Sequence, residues 1–193
     1  MTVFESSMKI PELARRAEVL ARERQFSRSS LPETGRLLAV LAATVNHGRI
    51  GEIGTGCGYG AAWIASALQS DTTLYTIEID DQLARDVQTL LADHPQVRVL
   101  HGDWRELAAY GPFDLLFADG GGAKRNNQHD LIEMVTIGGM IILDDLTPEE
   151  YWPDEWKGQP DDVREFWLRT DRVVATEVRV TERHAVILAT RRY

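Results

Sequence analysis

The periodicity of hydrophobic and polar positions changes along the chain and predicts where helices and strands lie. Apolar residues recur at helical spacing over 12–25. A second, mostly buried helix is predicted over 33–45, and its start is placed between Ser30 and Pro32. Further along, short apolar runs typical of strands alternate with segments of helical period. The predicted strands are 49–54, 73–79, 97–102, 113–119 and 139–145, and the predicted helices between them are 60–69, 81–94 and 127–135.

The last part of the chain has a different pattern. Two strand-like runs, 172–180 and 184–192, are separated by the short turn "TER", and only antiparallel strands can be joined so tightly. The preceding alternation of strands and helices predicts parallel strands with helices on both faces of the sheet. We therefore predict an α/β protein whose seven strands form a parallel sheet with a C-terminal antiparallel hairpin.

The length of 193 residues predicts a single domain over 1–193, because it supports one full hydrophobic core and is short for two. Residues 1–30 are predicted to form an N-terminal helical extension. Residues 147–170 contain three of the five tryptophans and form an aromatic insert between the fifth strand and the hairpin.

The aromatic insert contains two kinds of aromatic residue. Phe166 and Trp167 have helical spacing, which predicts packing in the core. Tyr151, Trp152 and Trp156 follow no clear period, and we expect this part to lie over the functional site and exclude water. A surface loop held by its own aromatic side chains is the alternative.

The net charge of −9 would repel a phosphate backbone and argues against nucleic acid as the partner. A local exception near the N-terminus is a group of arginines, for which a solvated helix face is the favoured interpretation. Its members are Arg15, Arg16, Arg22, Arg24, Arg28 and Arg36. No apolar run approaches the roughly 20 residues that span a bilayer, and the N-terminus lacks an apolar signal core, so we expect no membrane association and a cytoplasmic location.

The residue types that bind transition metals are scarce or poorly spaced. The single cysteine, Cys57, excludes an internal disulfide and a cysteine-rich zinc site. The five histidines show neither HExxH nor paired spacing. A transition-metal site built on imidazoles is therefore not expected.

The first predicted strand leads into the glycine-rich stretch "GEIGTGCGYG" (51–60). Its glycines permit a sharp turn and a close approach of the backbone to a ligand at the carboxyl edge of the sheet. The spacing fits neither GxGxxG nor a P-loop. Glu52, two residues before Gly54, suits a cationic ligand better than a pyrophosphate, and Glu78 at the end of the second strand can accept both hydroxyls of a ribose. A glycine-rich turn without a ligand is the alternative.

The motifs "EIGTGCGYG", "IEID", "LHGD", "FADGG" and "GGMIILDDL", in this order, resemble those of the class I S-adenosylmethionine-dependent methyltransferases. Within that class the chain is most similar to the small cation-dependent O-methyltransferases of the catechol and caffeoyl-CoA type. The resemblance extends from "SSLPETGRLL" to the final hairpin. It implies a Rossmann-like seven-stranded methyltransferase sheet, with S-adenosylmethionine as the cofactor.

The resemblance also implies which residues bind this cofactor. Glu52, Gly54, Gly56 and Gly58 would line its methionine end, Glu78 would bind the ribose, and Gly102, Asp103 and Trp104 would lie beside the adenine. Thr55, Ile79 and Asp119 complete the implied set, together with Tyr59, which packs either on the cofactor or in the core. One departure concerns Gly60, because the subgroup often has a serine there that contacts the cofactor carboxylate.

A metal site is the second implication. In the cation-dependent subgroup the fourth strand ends in a ligand aspartate and the fifth in Asp-Asn, positions that here hold Asp119, Asp144 and Asp145. Oxygen ligands suit Mg²⁺ or a similar hard divalent cation, which would lower the pKa of a bound hydroxyl. Asp145 in place of asparagine adds a charge, and a metal-free role for Asp119 beside the sulfonium stays open. The family usually has a lysine close after the first aspartate, whereas here the nearest lysine, Lys124, comes later in the chain. Lys124 is either the catalytic base or a solvated lysine of a flexible loop.

The function implied by these features is transfer of a methyl group to an oxygen of a small hydroxylated acceptor, aromatic or polyketide-like. Asp119, Lys124 and Asp144 are the candidate catalytic residues. A methyltransferase for a hydroxylated tRNA base is one alternative, supported only by the arginine group. A non-catalytic S-adenosylmethionine-binding protein is another. The subgroup commonly dimerises, which leaves a homodimer open.

Overall fold

The computed structural model describes residues 9–193, and within this range seven strands form one sheet in the order β3-β2-β1-β4-β5-β7-β6. The first five strands are parallel to one another, and β7 runs antiparallel to both β5 and β6. The predicted parallel sheet with a C-terminal antiparallel hairpin is therefore confirmed. The strands are β1 (Arg49–Ile53), β2 (Thr73–Glu78), β3 (Val97–His101), β4 (Phe113–Ala118), β5 (Val135–Leu146), β6 (Val173–Arg179) and β7 (Ala185–Arg191).

The strand order reverses between β1 and β4, because β2 and β3 lie on one side of β1 while β5 lies beyond β4. In an open parallel sheet the connecting loops diverge at such a point and leave a crevice beyond the carboxyl ends of the strands. The glycine-rich stretch follows β1 and Asp119 follows β4, so the sheet order places both at this crevice.

Helices cover both faces of the sheet. They are α1 (Glu12–Glu23), α2 (Pro32–Ala42), α3 (Tyr59–Ala65), α4 (Asp81–Leu90), α5 (Gly121–Asn126), α6 (Gln128–Glu133) and α7 (Asp162–Arg169), with short 3₁₀ helices at Trp104–Tyr110 and Glu149–Tyr151. Asp80 caps α4, because its carboxylate accepts hydrogen bonds from the N–H groups of Gln82 and Leu83.

Two buried clusters form the core, one on each face. The first joins α1, α2 and α3 to the sheet and includes Leu38 and Trp63. The second lies under α6 and α7 and includes Phe113 and Trp167. Trp167 is fully buried, which confirms the core packing expected from its spacing. Burial of this apolar surface is the main force that stabilises the fold.

The chain departs from the predicted elements at several places. Strand β5 begins at Val135, inside the predicted helix 127–135 and before the predicted strand 139–145, and two further segments also differ. The stretch "GGGAKRNN", expected to be a flexible loop, contains helix α5. Glycine disfavours helices, but Ala123 packs in the second cluster and this burial outweighs the local preference. Ser30 was expected at the start of α2, but the residue before that helix is Leu31, and the Ser30 hydroxyl donates to Asp119 instead.

The aromatic insert is fastened to the C-terminal hairpin. The Tyr151 hydroxyl donates to Glu182 at 2.6 Å, and Arg164 pairs with Glu177 on β6 at 2.6 Å while also donating to the carbonyl of Thr147. That the insert covers the functional site stays a prediction.

Residues 1–8 of the predicted N-terminal extension lie outside the described residues. None of the helices in the described part of the chain combines the length and apolar character that a bilayer span requires.

Candidate active site

A pocket of about 1000 Å³ occupies the crevice at the carboxyl ends of β1, β2 and β4. This volume lies at the upper end of the range typical of small-molecule sites. Most of the residues predicted to bind the cofactor line it: Glu52, Gly54, Thr55, Gly56, Tyr59, Glu78, Ile79, Gly102, Asp103, Trp104 and Asp119. Asp145 also lines this pocket, so the predicted cofactor and metal residues meet at one place.

The glycine-rich stretch turns with positive φ angles that favour glycine. At Gly54 (φ 90°) a Cβ atom would lie 2.9 Å from the backbone nitrogen of Gly120, so a larger residue would separate β1 from the end of β4. Gly58 precedes α3 with φ 81° and faces Val87 rather than the pocket. Its observed role is therefore conformational, and its predicted contact with the cofactor remains a prediction.

Glu52 is buried at the base of the pocket. It accepts a hydrogen bond from the hydroxyl of Thr76 and lies against the backbone N–H of Ala61 in the first turn of α3. Burial raises the pKa of this carboxyl to about 8, and the nearby carboxylate of Asp119 acts in the same direction. A side chain at Gly60 would collide with the Glu52 carboxylate, which accounts for the glycine at that position.

Glu78 is held ready to accept hydrogen bonds from a ligand. Its two carboxylate oxygens accept from the backbone N–H groups of Gly56 at 2.7 Å and Asp80 at 3.0 Å. These bonds fix the orientation of the carboxylate while leaving lone pairs towards the pocket. Such a group suits a vicinal diol, as the sequence predicted.

The expected adenine side of the pocket is lined by Ile79 and Trp104, with Ile79 exposed. Asp103 caps the 3₁₀ helix and accepts from the backbone N–H and the guanidinium of Arg105, both at 2.9 Å. The backbone N–H of Arg105, followed by the charge of its guanidinium, lowers the pKa of Asp103. A ligand amine at Asp103 would share this carboxylate with Arg105.

Three carboxylates converge beside the pocket, as predicted. Asp119, Asp144 and Asp145 each have an oxygen within 4.8 Å of the others, and we call this group the carboxylate cluster. Burial raises the pKa of Asp119 to about 8, with the charges of Asp145 and Asp144 adding to the effect. Burial also raises the pKa of Asp144. The cluster therefore gains stability from any cation that binds it.

Lys124 reaches the carboxylate cluster from α5. Its Nζ donates to the backbone carbonyl of Asp144 at 3.0 Å and lies 3.3 Å from Asp145 and 3.8 Å from Asp119. The side chain is only 10% exposed, so the interpretation as a solvated loop lysine is wrong. The lysine supplies one positive charge to three carboxylates and leaves the cluster with an excess of acidic groups.

The segment 24–30, between α1 and α2, also borders the pocket, and we call it the strap. Arg24 at its start forms a two-fold ion pair with Asp86, at 2.6 and 2.8 Å. Phe26 lies against Gly56, and Ser30 donates to Asp119 at 3.3 Å. Sequence reasoning missed these residues as parts of the site, because an irregular segment carries no periodic signal that would show what it packs against.

The donor set fits the expected cofactor and cation. Carboxylates at Glu52, Glu78 and Asp119 suit a molecule that carries cationic groups and a ribose diol. The oxygens of the carboxylate cluster are ligands of the type that Mg²⁺ and Ca²⁺ prefer, although Lys124 already supplies part of the neutralising charge.

The raised pKa of Glu52 predicts that the protein loses stability as pH rises. Below about pH 4 this carboxyl is protonated in both the folded and unfolded states, whereas between about pH 4 and 8 the folded state binds more protons. The free energy of unfolding should therefore fall by on the order of 2 kcal/mol between about pH 5.5 and 8.5. Denaturant unfolding at both pH values measures this change.

Glu52→Gln should reduce this fall, because the neutral amide cannot ionise, while Asp119, whose pKa is also raised to about 8, keeps its own contribution. Glu133→Gln serves as the control, since Arg172 and Arg191 lower the pKa of this exposed carboxyl and it does not titrate in that range. A wild-type protein that is equally stable at both pH values would contradict the assignment of a protonated Glu52.

This chain was compared with known protein families, with curated proteins and with solved structures. Residues 52–146 match the family of methyltransferase domains. A protein-L-isoaspartate O-methyltransferase of Pyrobaculum islandicum is 34% identical over 100 residues, which cover 49% of this chain and 47% of that protein. The chain spans about half the length of the curated relatives it matches.

Solved structures match over nearly the whole chain. The O-methyltransferase TomG from Streptomyces achromogenes, in complex with SAM, has a TM-score of 0.81 at 23% identity, over 98% of this chain and 94% of that one. An O-methyltransferase from Bacillus cereus, in complex with SAH, has a TM-score of 0.78 at 21% identity, over 98% and 95%. At these identities the likeness establishes the fold, and it confirms the predicted Rossmann-like methyltransferase architecture.

Proposed function

We propose that this chain, whose residues 52–146 match the family of methyltransferase domains, transfers a methyl group from S-adenosylmethionine to an oxygen of a small hydroxylated acceptor. The observation that carries the proposal is the position of Asp119. This carboxylate lines the cofactor-sized pocket and also belongs to the carboxylate cluster. A methyl donor bound in the pocket would therefore lie beside groups that can hold an acceptor.

The rate of this reaction would depend mainly on the alignment of sulfur, methyl group and acceptor oxygen, and not on covalent catalysis by the protein. A lone pair of the acceptor oxygen forms a bond to the methyl carbon, the carbon–sulfur bond breaks, and its electron pair returns to sulfur. Glu52, Glu78 and the glycine-rich stretch would orient the donor, and Asp119 would stabilise its positive charge. The hydroxyl proton must leave to a base. Lys124, which donates to the carbonyl of Asp144 as an ammonium, would fill this role after losing its proton.

The carboxylate cluster would hold a divalent cation such as Mg²⁺ through Asp119, Asp144 and Asp145. When bound, such a cation supplies a Lewis acid that lowers the pKa of a coordinated phenol or diol. Asp145 has φ 62° and is exposed, so it lies at the mouth of the cluster, whereas Asp144 is buried behind it. The cluster thus has an open side for the hydroxyls of an acceptor, for which we favour an aromatic or polyketide-like molecule.

Incubation with methyl-labelled S-adenosylmethionine and a panel of catechols, hydroxylated polyketides and tRNA tests the proposal. Label is expected in a small hydroxylated molecule in the presence of Mg²⁺. Label in tRNA alone would show that the acceptor is tRNA and not a small molecule. Cofactor binding without transfer to any member of the panel would favour a non-catalytic binding protein. A homodimer and a cytoplasmic location remain predictions.

A further inference from the structure

The amino-acid end of S-adenosylmethionine carries both an ammonium and a carboxylate. Exposed Asp145 suits the ammonium and repels the carboxylate, and Glu52 and Asp119, whose pKa values burial raises to about 8, offer the carboxylate no positive charge. A side chain at Gly60 cannot supply a donor, because the Glu52 carboxylate occupies the space beside its Cα. A cationic partner from elsewhere in the pocket would therefore favour binding of the carboxylate.

Three arginines line the pocket, and two of them are already paired. Arg24 binds Asp86 with two short contacts, and Arg105 binds Asp103 at 2.9 Å. Arg28 forms no ion pair with any residue in the range 9–193, and its guanidinium lies over the ring of Phe26 at 5.4 Å. Within the described range, Arg28 is thus the pocket arginine without a carboxylate partner, and its charge is available to a ligand.

The strap places Arg28 at one particular end of the pocket. Phe26, two residues before it, lies against Gly56 of the glycine-rich stretch, and Ser30, two residues after it, donates to Asp119. In an extended segment two residues span roughly 7 Å, so Arg28 lies close to both contacts. Gly56 and Asp119 are the residues expected beside the methionine end and the sulfonium of the cofactor, so Arg28 lies on that side of the pocket.

We propose that Arg28 binds the carboxylate at the amino-acid end of the cofactor, an inference that rests on the proposed function. The planar guanidinium can donate two parallel hydrogen bonds to a carboxylate, and its stacking on Phe26 restricts the orientations it samples. The Arg24–Asp86 ion pair ties the strap to α4 and so holds Arg28 over the pocket.

Calorimetry with two ligands tests this assignment. S-Adenosylhomocysteine and its decarboxylated analogue differ only in the carboxylate, and wild-type protein should bind the first more tightly. Arg28→Gln should weaken S-adenosylhomocysteine by roughly 10- to 100-fold and change the affinity for the analogue by less than about threefold. Arg22→Gln, an exposed arginine in the last turn of α1 outside the pocket lining, is the matched control and should change neither affinity.

Three outcomes would overturn the inference. Equal weakening of both ligands would mean that Arg28 acts through packing on Phe26, and an unchanged affinity for S-adenosylhomocysteine would remove the carboxylate contact. If Arg28→Gln raised only the KM for the acceptor, the anion that Arg28 recognises would belong to the acceptor and not to the cofactor. Failure of the wild-type protein to bind S-adenosylhomocysteine at all would instead reject the proposed function.

Discussion

Asp144→Ala is expected to lower kcat by at least about 100-fold while S-adenosylhomocysteine affinity stays within about threefold of wild type. Asp144 is 4% exposed and belongs to the carboxylate cluster, but it is absent from the lining of the cofactor pocket. Its carboxylate would therefore contact the cation and not the cofactor. Turnover assays and calorimetry on the same preparation measure the two effects separately.

Removal of the cation should reproduce the loss caused by Asp144→Ala. EDTA should abolish turnover of the wild-type protein, and added Mg²⁺ should restore it. Asp145→Asn is the matched control, because the amide keeps an oxygen ligand and removes one repelling charge, so this variant should retain most activity. Full activity of the wild-type protein in EDTA would reject the metal role and leave Asp119 as a carboxylate beside the cofactor.

Glu78→Ala is expected to weaken cofactor binding by about 1.5–3 kcal/mol, which corresponds to roughly a 10- to 150-fold rise in Kd. The carboxylate is fixed by the N–H groups of Gly56 and Asp80, so its remaining lone pairs are already oriented towards the pocket. Loss of charged hydrogen bonds to the ribose is the expected cause of this effect. Calorimetric titration with S-adenosylhomocysteine gives the affinity directly.

The Glu78 variants need a separate test of folding, because the side chain also supports the glycine-rich stretch. Glu78→Gln retains an acceptor for one backbone N–H and should fall between wild type and Glu78→Ala in affinity. Denaturant unfolding should show that both variants remain folded at the temperature of the titration. An unchanged Kd in folded Glu78→Ala would show that this residue does not bind the ribose.

The hydrophobic pattern of the sequence was sufficient to predict the sheet, and the sequence motifs identified the acidic residues at its carboxyl edge. Alternation between periods of two and 3.6 residues is local information, and it located the seven strands to within a few residues. Parallel strands that end in Asp119 and in Asp144–Asp145 must bring these carboxylates to one edge, because neighbouring strands share an edge. The convergence of the carboxylate cluster was implied by the resemblance to the cation-dependent subgroup, and the adjacent ends of β4 and β5 account for it.

The surroundings of these acids depended on contacts between residues far apart in the chain. Burial of Ala123 makes a helix of a glycine-rich stretch and carries Lys124 to the cluster, against the local preference of the sequence. Ser30 meets Asp119 across 89 positions of sequence, and Arg24 meets Asp86 across 62. The sequence by itself determined the fold and the candidate acids. Only the tertiary structure decided which cations face them and how far burial raises their pKa values, because charge and solvent exposure depend on all the elements packed around a site.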